Sequence, residues 1–82
     1  MSTMNDFLNS DIQNIQSREA YLGYAKNVQS GQHTELELTG NAFNVRFLIS
    51  GVHIENLWDE NETIEIELDK FIQTVSEWMP KN

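Results

Sequence analysis

The sequence predicts an α+β fold in which a four-stranded antiparallel meander carries N-terminal and C-terminal helices on one face. Apolar residues recur every three or four positions at both ends of the chain, which indicates helices. In the middle they alternate with polar residues, and turn residues separate the alternating runs, which indicates strands. We expect a single domain over residues 1–82, because so short a chain can enclose only one small core.

The C-terminal helix has the clearest pattern. Asp69 is its predicted N-cap, and Pro80 is expected to end it. Polar residues lie between apolar residues that form a stripe along one face: Phe71, Ile72, Val75, Trp78 and Met79.

The N-terminal third is also predicted to be helical, although its apolar pattern is less regular. It forms either one bent helix or two short helices, and it ends before Gly31. Ser10 or Ser17 would cap an interior helix start. Two groups of residues are expected on buried faces: Leu8, Ile12 and Ile15 in the first part, and Tyr21, Ala25 and Val28 in the second.

Four strands follow between these helical regions, each with alternate apolar residues. Gly40-Asn41 and Ser50-Gly51 predict two-residue hairpin loops between the first three strands. The inward-facing residues are expected to be Leu36 and Leu38; Phe43, Val45, Phe47 and Ile49; Val52 and Ile54; and Ile64, Ile66 and Leu68.

These loops predict a register that places all the apolar pairs on one face. Leu38 would lie opposite Phe43, and Phe47 opposite Ile54. The outer face would then carry a row of Glu35, Arg46 and Glu55.

The fourth strand is predicted after a loop that begins at Trp58 and ends at Glu62. In this arrangement Glu65 would lie opposite Glu55 on the outer face, and Glu67 would lie opposite His53.

The composition restricts the chemistry that the chain can perform. Thirteen acidic and five basic residues give a net charge of −8, and there is no Cys. Nucleic acids and anionic membranes attract proteins through Lys and Arg, so we expect neither to be a direct partner. Without Cys there are no disulfides or thiolate ligands, and without a basic and apolar leader we expect a cytoplasmic protein.

No motif of an enzyme or of a cofactor site is present in the sequence. His33 and His53 are the only imidazoles, and their predicted positions at a strand entry and on an outer face do not converge. We therefore expect no catalytic residue, no metal and no cofactor, and the chain is not expected to be an enzyme.

The span between Arg46 and Lys70 contains seven acids and neither Lys nor Arg. Surfaces that serve only solubility usually mix both signs, so a one-signed surface indicates recognition of a basic protein. Trp58, at the edge of the loop, either anchors this interface or caps the end of the core. The predicted partner-binding residues are Trp58, Asp59, Glu60, Glu62, Glu55, Glu65 and Glu67.

The stretch NAFNVRFLISGVHIENLWDENETIEIELDKFIQTV, in a small acidic chain without Cys, resembles immunity proteins of bacterial contact-dependent inhibition and other polymorphic toxin systems. The resemblance implies a cytoplasmic protein that neutralises a cognate toxin domain, often a basic nuclease, by occluding its active site. Two alternatives stay open. One is an acidic oligomeric or adaptor module, such as a homodimer formed through the sheet edges. The other is an acidic mimic of nucleic acid of the type that phages encode.

Overall fold

The computed structural model describes residues 2–80, so the two ends of the predicted domain, residues 1 and 81–82, lie outside the described residues. The α+β class and the antiparallel meander are confirmed. The elements in chain order are α1 (Thr3–Asp11), α2 (Ile15–Gln29), β1 (Glu35–Thr39), β2 (Phe43–Leu48), β3 (Gly51–Asn56), β4 (Thr63–Ile66) and α3 (Leu68–Glu77).

The N-terminal third forms two helices, which resolves the alternative that the sequence left open. The Ser2 hydroxyl oxygen accepts a backbone N–H in the first turn of α1. Asn14 caps α2, because its Oδ1 accepts the Ser17 N–H at 2.8 Å. The prediction that Ser10 or Ser17 is the cap was therefore wrong, because Asn14 already holds the extended conformation of a cap residue. The predicted end before Gly31 is confirmed, and Gly31 has a φ of 86°.

Helix α3 begins two residues earlier than the predicted cap at Asp69 would allow. Its N-cap is Glu67, whose side chain makes no capping hydrogen bond. Asp69 lies in the first turn and accepts a hydrogen bond from Gln29 Nε2 at 2.7 Å, so the prediction that Asp69 is the N-cap was wrong. The helix ends at Glu77, ahead of Pro80.

The sheet has the order β1-β2-β3-β4, but each hairpin differs from the predicted register by two residues. Leu38 lies opposite Val45, Phe47 opposite Val52, and Glu65 opposite His53. A shift by two keeps every side chain on its predicted face, because side chains alternate with a period of two. The apolar alternation therefore could not distinguish the two registers.

The first hairpin shows the physical reason for its register. The Asp11 carboxylate, at the end of α1, accepts the backbone N–H groups of Ala42 at 2.9 Å and Phe43 at 3.0 Å. Gly40 donates its N–H to the Phe43 carbonyl at 2.9 Å, so the loop residues are Asn41 and Ala42. A tertiary contact thus sets a turn that the local Gly-Asn sequence had placed one residue earlier.

The three helices lie on one face of the sheet and enclose the core with it. Helix α2 packs against β1 and β2, α3 against β3, and α1 against β4. Ile15 and Ile49 were predicted to be buried, but they are 47% and 67% exposed because one begins α2 and the other lies in the β2–β3 turn. The buried hydrophobic residues are Phe7, Leu8, Ile12, Tyr21, Leu22, Ala25, Val28, Phe43, Val45, Phe47, Val52, Ile54, Leu68, Phe71 and Val75.

Candidate functional site

The loop between β3 and β4 has its conformation fixed by hydrogen bonds from its own polar groups. Asn56 Oδ1 accepts the backbone N–H groups of Trp58 at 2.8 Å and Asp59 at 3.0 Å. Asp59 Oδ1 then accepts the N–H of Asn61 at 3.0 Å, and its carbonyl accepts that of Glu62 at 3.0 Å. Asn and Asp favour such turns because their side chains can accept from backbone N–H groups two or three residues ahead.

The same loop is hydrogen-bonded to the β1–β2 hairpin. Leu57 donates its N–H to the Ala42 carbonyl at 2.8 Å, and Asn56 donates its N–H to the Glu62 carbonyl at 3.0 Å. The β3–β4 loop and the β1–β2 hairpin therefore share one end of the molecule, and the loop sits on a rigid support.

Trp58 does not cap the core. Its side chain is 76% exposed, and the neighbouring Leu57 is 44% exposed. The second tryptophan differs, because Trp78 packs against the core and donates its Nε1–H to the Ile12 carbonyl at 2.8 Å. Of the two interpretations of Trp58 that the sequence left open, the core cap was wrong.

We use the name acidic end for the loop tryptophan and the acids around it: Glu55, Trp58, Asp59, Glu60 and Glu62. Glu55, Asp59 and Glu60 are exposed and line a shallow depression beside Trp58. Here the structure does bring predicted site residues together around an exposed apolar side chain.

Glu62 differs from the other acids of the acidic end, because it is half-buried and its carboxyl group contacts Asp6 on α1. It accepts a hydrogen bond from Asn56 Nδ2 at 3.2 Å. Hydrogen bonding with the Asp6 carboxyl, desolvation and the negative charges of Asp6 and Asp59 raise the pKa of Glu62. Asp6 was not predicted to belong to this surface, since no sequence pattern relates α1 to a loop more than fifty residues later.

The two remaining predicted site residues lie elsewhere. Glu65 is on the outer face of β4, where its carboxylate is 3.4 Å from His53 Nε2. Glu67 lies at the start of α3, beside Ile49 and Ser50 of the β2–β3 turn at the opposite end of the sheet. The seven predicted residues therefore do not form one continuous surface.

The outer face of the sheet carries charges of both signs. The cross-strand row runs Glu37, Arg46, His53 and Glu65, and Arg46 Nε is also 3.2 Å from the Glu35 carboxylate. The predicted row with Glu55 beside Arg46 and the predicted oppositions of Glu55 to Glu65 and His53 to Glu67 were wrong, because each depended on the shifted register. The outer face of the sheet therefore does not extend the one-signed surface of the acidic end.

Metal binding finds no support in the geometry of residues 2–80. Within that range no group of three His, Cys, Asp or Glu side chains could hold a metal ion. His33 precedes β1, whereas His53 lies within β3 beside Glu65. Over the same residues, no helix has both the length and the apolar composition needed to cross a membrane.

Comparison of the chain with protein-family models, with curated proteins and with solved structures finds no match in any of the three.

Proposed function

We propose that this chain is a binding protein that uses its acidic end to occlude the active site of a basic protein domain. A toxin of the nuclease type is the partner that fits this role, and the chain would act as its immunity protein in the bacterial cytoplasm. The observation that carries the proposal is Trp58, 76% exposed on an ordered loop and surrounded by acids.

Trp58 has the properties of an interface anchor. Tryptophan is enriched among the residues that contribute most to protein–protein affinity, because it offers a large apolar surface with few rotatable bonds. Leaving this side chain in water brings the free chain no packing energy. A partner that covers Trp58 and Leu57 would remove both from water.

The rigidity of the loop also supports binding. Asn56 and Asp59 already hold the backbone around Trp58 through four side-chain and backbone hydrogen bonds. A pre-organised loop loses little conformational entropy when a partner docks, so more of the contact energy appears as affinity.

The charge of the acidic end selects the kind of partner. Glu55, Asp59 and Glu60 are exposed, and the chain has no Lys or Arg between Arg46 and Lys70. Such a surface accelerates association with a basic protein and repels an acidic one. Nuclease active sites carry Lys and Arg that bind phosphates, so the same carboxylates would compete with the nucleic acid for those groups.

The test uses the protein whose gene neighbours the gene of this chain, and the proposal predicts that this protein carries a basic domain of the nuclease type. Its nuclease activity and its affinity for the chain would be measured with wild-type protein, Trp58→Ala and the matched control Ile49→Ala, which removes an exposed apolar side chain at the opposite end. We expect inhibition by the wild type, and a loss of about 30-fold in affinity, or about 2 kcal/mol, for Trp58→Ala alone. Equal affinities of the two variants, or no inhibition by the wild type, would contradict the proposal.

A further inference from the structure

A cavity of about 210 Å³ lies between the start of α2 and the β1–β2 hairpin. Polar side chains in its wall come from three parts of the chain: Asp11, Ser17, Tyr21, Thr39 and Asn41. Ala20 and Leu38 supply apolar wall next to them. The cavity is separate from the depression beside Trp58.

Asp11 brings a buried negative charge to this cavity. The residue is 5% exposed, and its carboxylate accepts hydrogen bonds from Ala42 N–H, Phe43 N–H and the Ser10 hydroxyl, the last at 2.9 Å. Within residues 2–80, no Lys, Arg or His forms an ion pair with it. The charge is thus hydrogen-bonded but not neutralised, which is an uncommon state for a buried carboxylate.

Tyr21 turns its hydroxyl toward the same space. The residue is 3% exposed, and its ring is packed edge-on against Phe7 at a centroid distance of 5.3 Å. A Cβ atom on Gly40 would lie 2.6 Å from the Tyr21 hydroxyl and would also clash with Asp11 Oδ2, so both oxygens converge above this glycine. Burial together with the Asp11 charge raises the pKa of Tyr21.

We propose that this cavity binds a primary ammonium group, namely the end of a lysine side chain of the basic partner. Asp11 Oδ2, the Tyr21 oxygen and the hydroxyl oxygen of Ser17 are acceptors, and an ammonium group has three donors and no acceptor. A compact ammonium on a slender aliphatic stem suits a small cavity with apolar wall on one side.

The position of the cavity makes a partner lysine a reasonable source. Asn41 in the cavity wall is followed by Ala42, whose carbonyl accepts the Leu57 N–H next to Trp58. A protein docked on the acidic end would therefore lie near the cavity mouth. Only the source of the ammonium rests on the proposed function, because ammonium binding itself depends on the cavity alone.

The experiment titrates ¹⁵N-labelled protein with n-butylammonium chloride, which represents the end of a lysine side chain, at constant ionic strength set with NaCl. We expect saturable shifts of the Gly40 and Asn41 amides and no such shifts with the neutral 1-butanol. Tyr21→Phe, which keeps the packed ring, should weaken binding about tenfold by removing one partner of the ammonium. Tyr24→Phe is the matched control, because Tyr24 packs on Phe47 and does not line the cavity.

Three results would overturn the ammonium site. The amide shifts could be equally large with 1-butanol, they could be reproduced by changing the NaCl concentration alone, or Tyr21→Phe could bind n-butylammonium with unchanged affinity. A second titration with the partner domain bound tests the source: a blocked butylammonium response supports a partner lysine, and an unaltered response overturns it. The proposed function is tested separately by Trp58→Ala. If that test fails while n-butylammonium still binds, the proposed function is wrong and the ammonium site is retained.

Discussion

At the scale of single residues, Asp11 links the end of α1 to the first hairpin. Its buried carboxylate accepts hydrogen bonds from the N–H groups of Ala42 and Phe43, which lie 31 and 32 residues later in the sequence. Through these bonds it holds the first hairpin in its register and joins α1 to the sheet.

Asp11→Ala is expected to lower the free energy of unfolding by about 3 kcal/mol, because three hydrogen bonds of about 1 kcal/mol each are lost. Urea denaturation measures the change. The control is Glu60→Ala, an exposed substitution that should remain within about 0.5 kcal/mol of the wild type. A loss below about 1 kcal/mol for Asp11→Ala would show that the carboxylate does not hold the hairpin.

Two glycines give opposite predictions for the same substitution. Gly23 lies exposed inside α2 with nothing within 4 Å of an added Cβ, so Gly23→Ala should stabilise the chain by about 0.5–1 kcal/mol. At Gly40 the added methyl would clash with Asp11 and Tyr21, and a loss of about 1–3 kcal/mol is expected. Thermal unfolding of both variants checks this pair, and two shifts of the same sign would contradict it.

At the scale of elements, the β3–β4 loop and α1 meet through two carboxyl groups. The pKa of Glu62 is raised above its ordinary value of 4.5, chiefly by hydrogen bonding with Asp6. Because the pKa is higher in the folded state than in the unfolded state, protonation of Glu62 contributes to the free energy of unfolding. This contribution is fully present below pH 4.5 and is lost as the pH rises through the folded-state pKa.

Glu62→Gln is therefore expected to stabilise the chain at neutral pH relative to the wild type, with a smaller difference at about pH 4. Asp6→Asn should act in the same direction, because it removes the other carboxyl group of the pair. Urea denaturation at the two pH values measures the difference. If the stability of the variant relative to the wild type increased on acidification, the pH dependence would have the opposite sign. The pair of Glu62 and Asp6 would then not be the cause of the raised pKa.

The two tryptophans are expected to differ in their effect on stability, because Trp58 lies on the loop and Trp78 packs on the core. Trp58→Ala should change the free energy of unfolding by no more than about 0.5 kcal/mol, because the side chain is 76% exposed. Trp78→Ala should cost about 3 kcal/mol, since Trp78 packs on the core and bonds to the Ile12 carbonyl. Chemical denaturation compares them, and a large loss for Trp58→Ala would place its ring in the core after all.

The elements that the sequence predicted well are those whose pattern is local. The alternation of the strands needs only side-chain periodicity and is confirmed. The apolar stripe of α3 is confirmed at Phe71, Ile72 and Val75, but its predicted extension to Met79 was wrong, because the helix ends at Glu77 and Met79 is 74% exposed.

The hairpin registers were missed because a shift by two residues leaves the apolar alternation unchanged. For the first hairpin the register is held by Asp11, on a distant helix. Phe7, at the centre of the core between Tyr21 and Phe43, was also overlooked, although Phe7 and Asp11 lie one helical turn apart on α1.

The candidate site could be predicted in part for the same reason. Trp58, Asp59 and Glu60 are neighbours in sequence, so their clustering follows from the chain itself. Glu65 and Glu67 are also close in sequence to the loop, but β4 carries them away from it and the register pairs Glu65 with His53. Sequence proximity therefore overstated the size of the acidic surface.

At the scale of the whole molecule, the acids of the outer sheet face and those of the acidic end lie in different environments. On the outer face of the sheet they alternate with Arg46 and His53, and this mixture of signs is typical of a solvated surface. At the acidic end they surround Trp58, and the sequence span from 47 to 69 contains neither Lys nor Arg. The proposed function depends on this second environment alone.

The most direct test is the rate at which the basic partner domain associates with charge-reversed variants at several salt concentrations. Asp59→Lys/Glu60→Lys reverses two exposed acids of the acidic end, and the matched control Glu35→Lys/Glu67→Lys makes the same change of net charge at the opposite end. We expect the first variant to associate about tenfold or more slowly at low salt, with a weaker salt dependence, and the control to stay close to the wild type. Equal association rates for the two variants would contradict an interface at the acidic end.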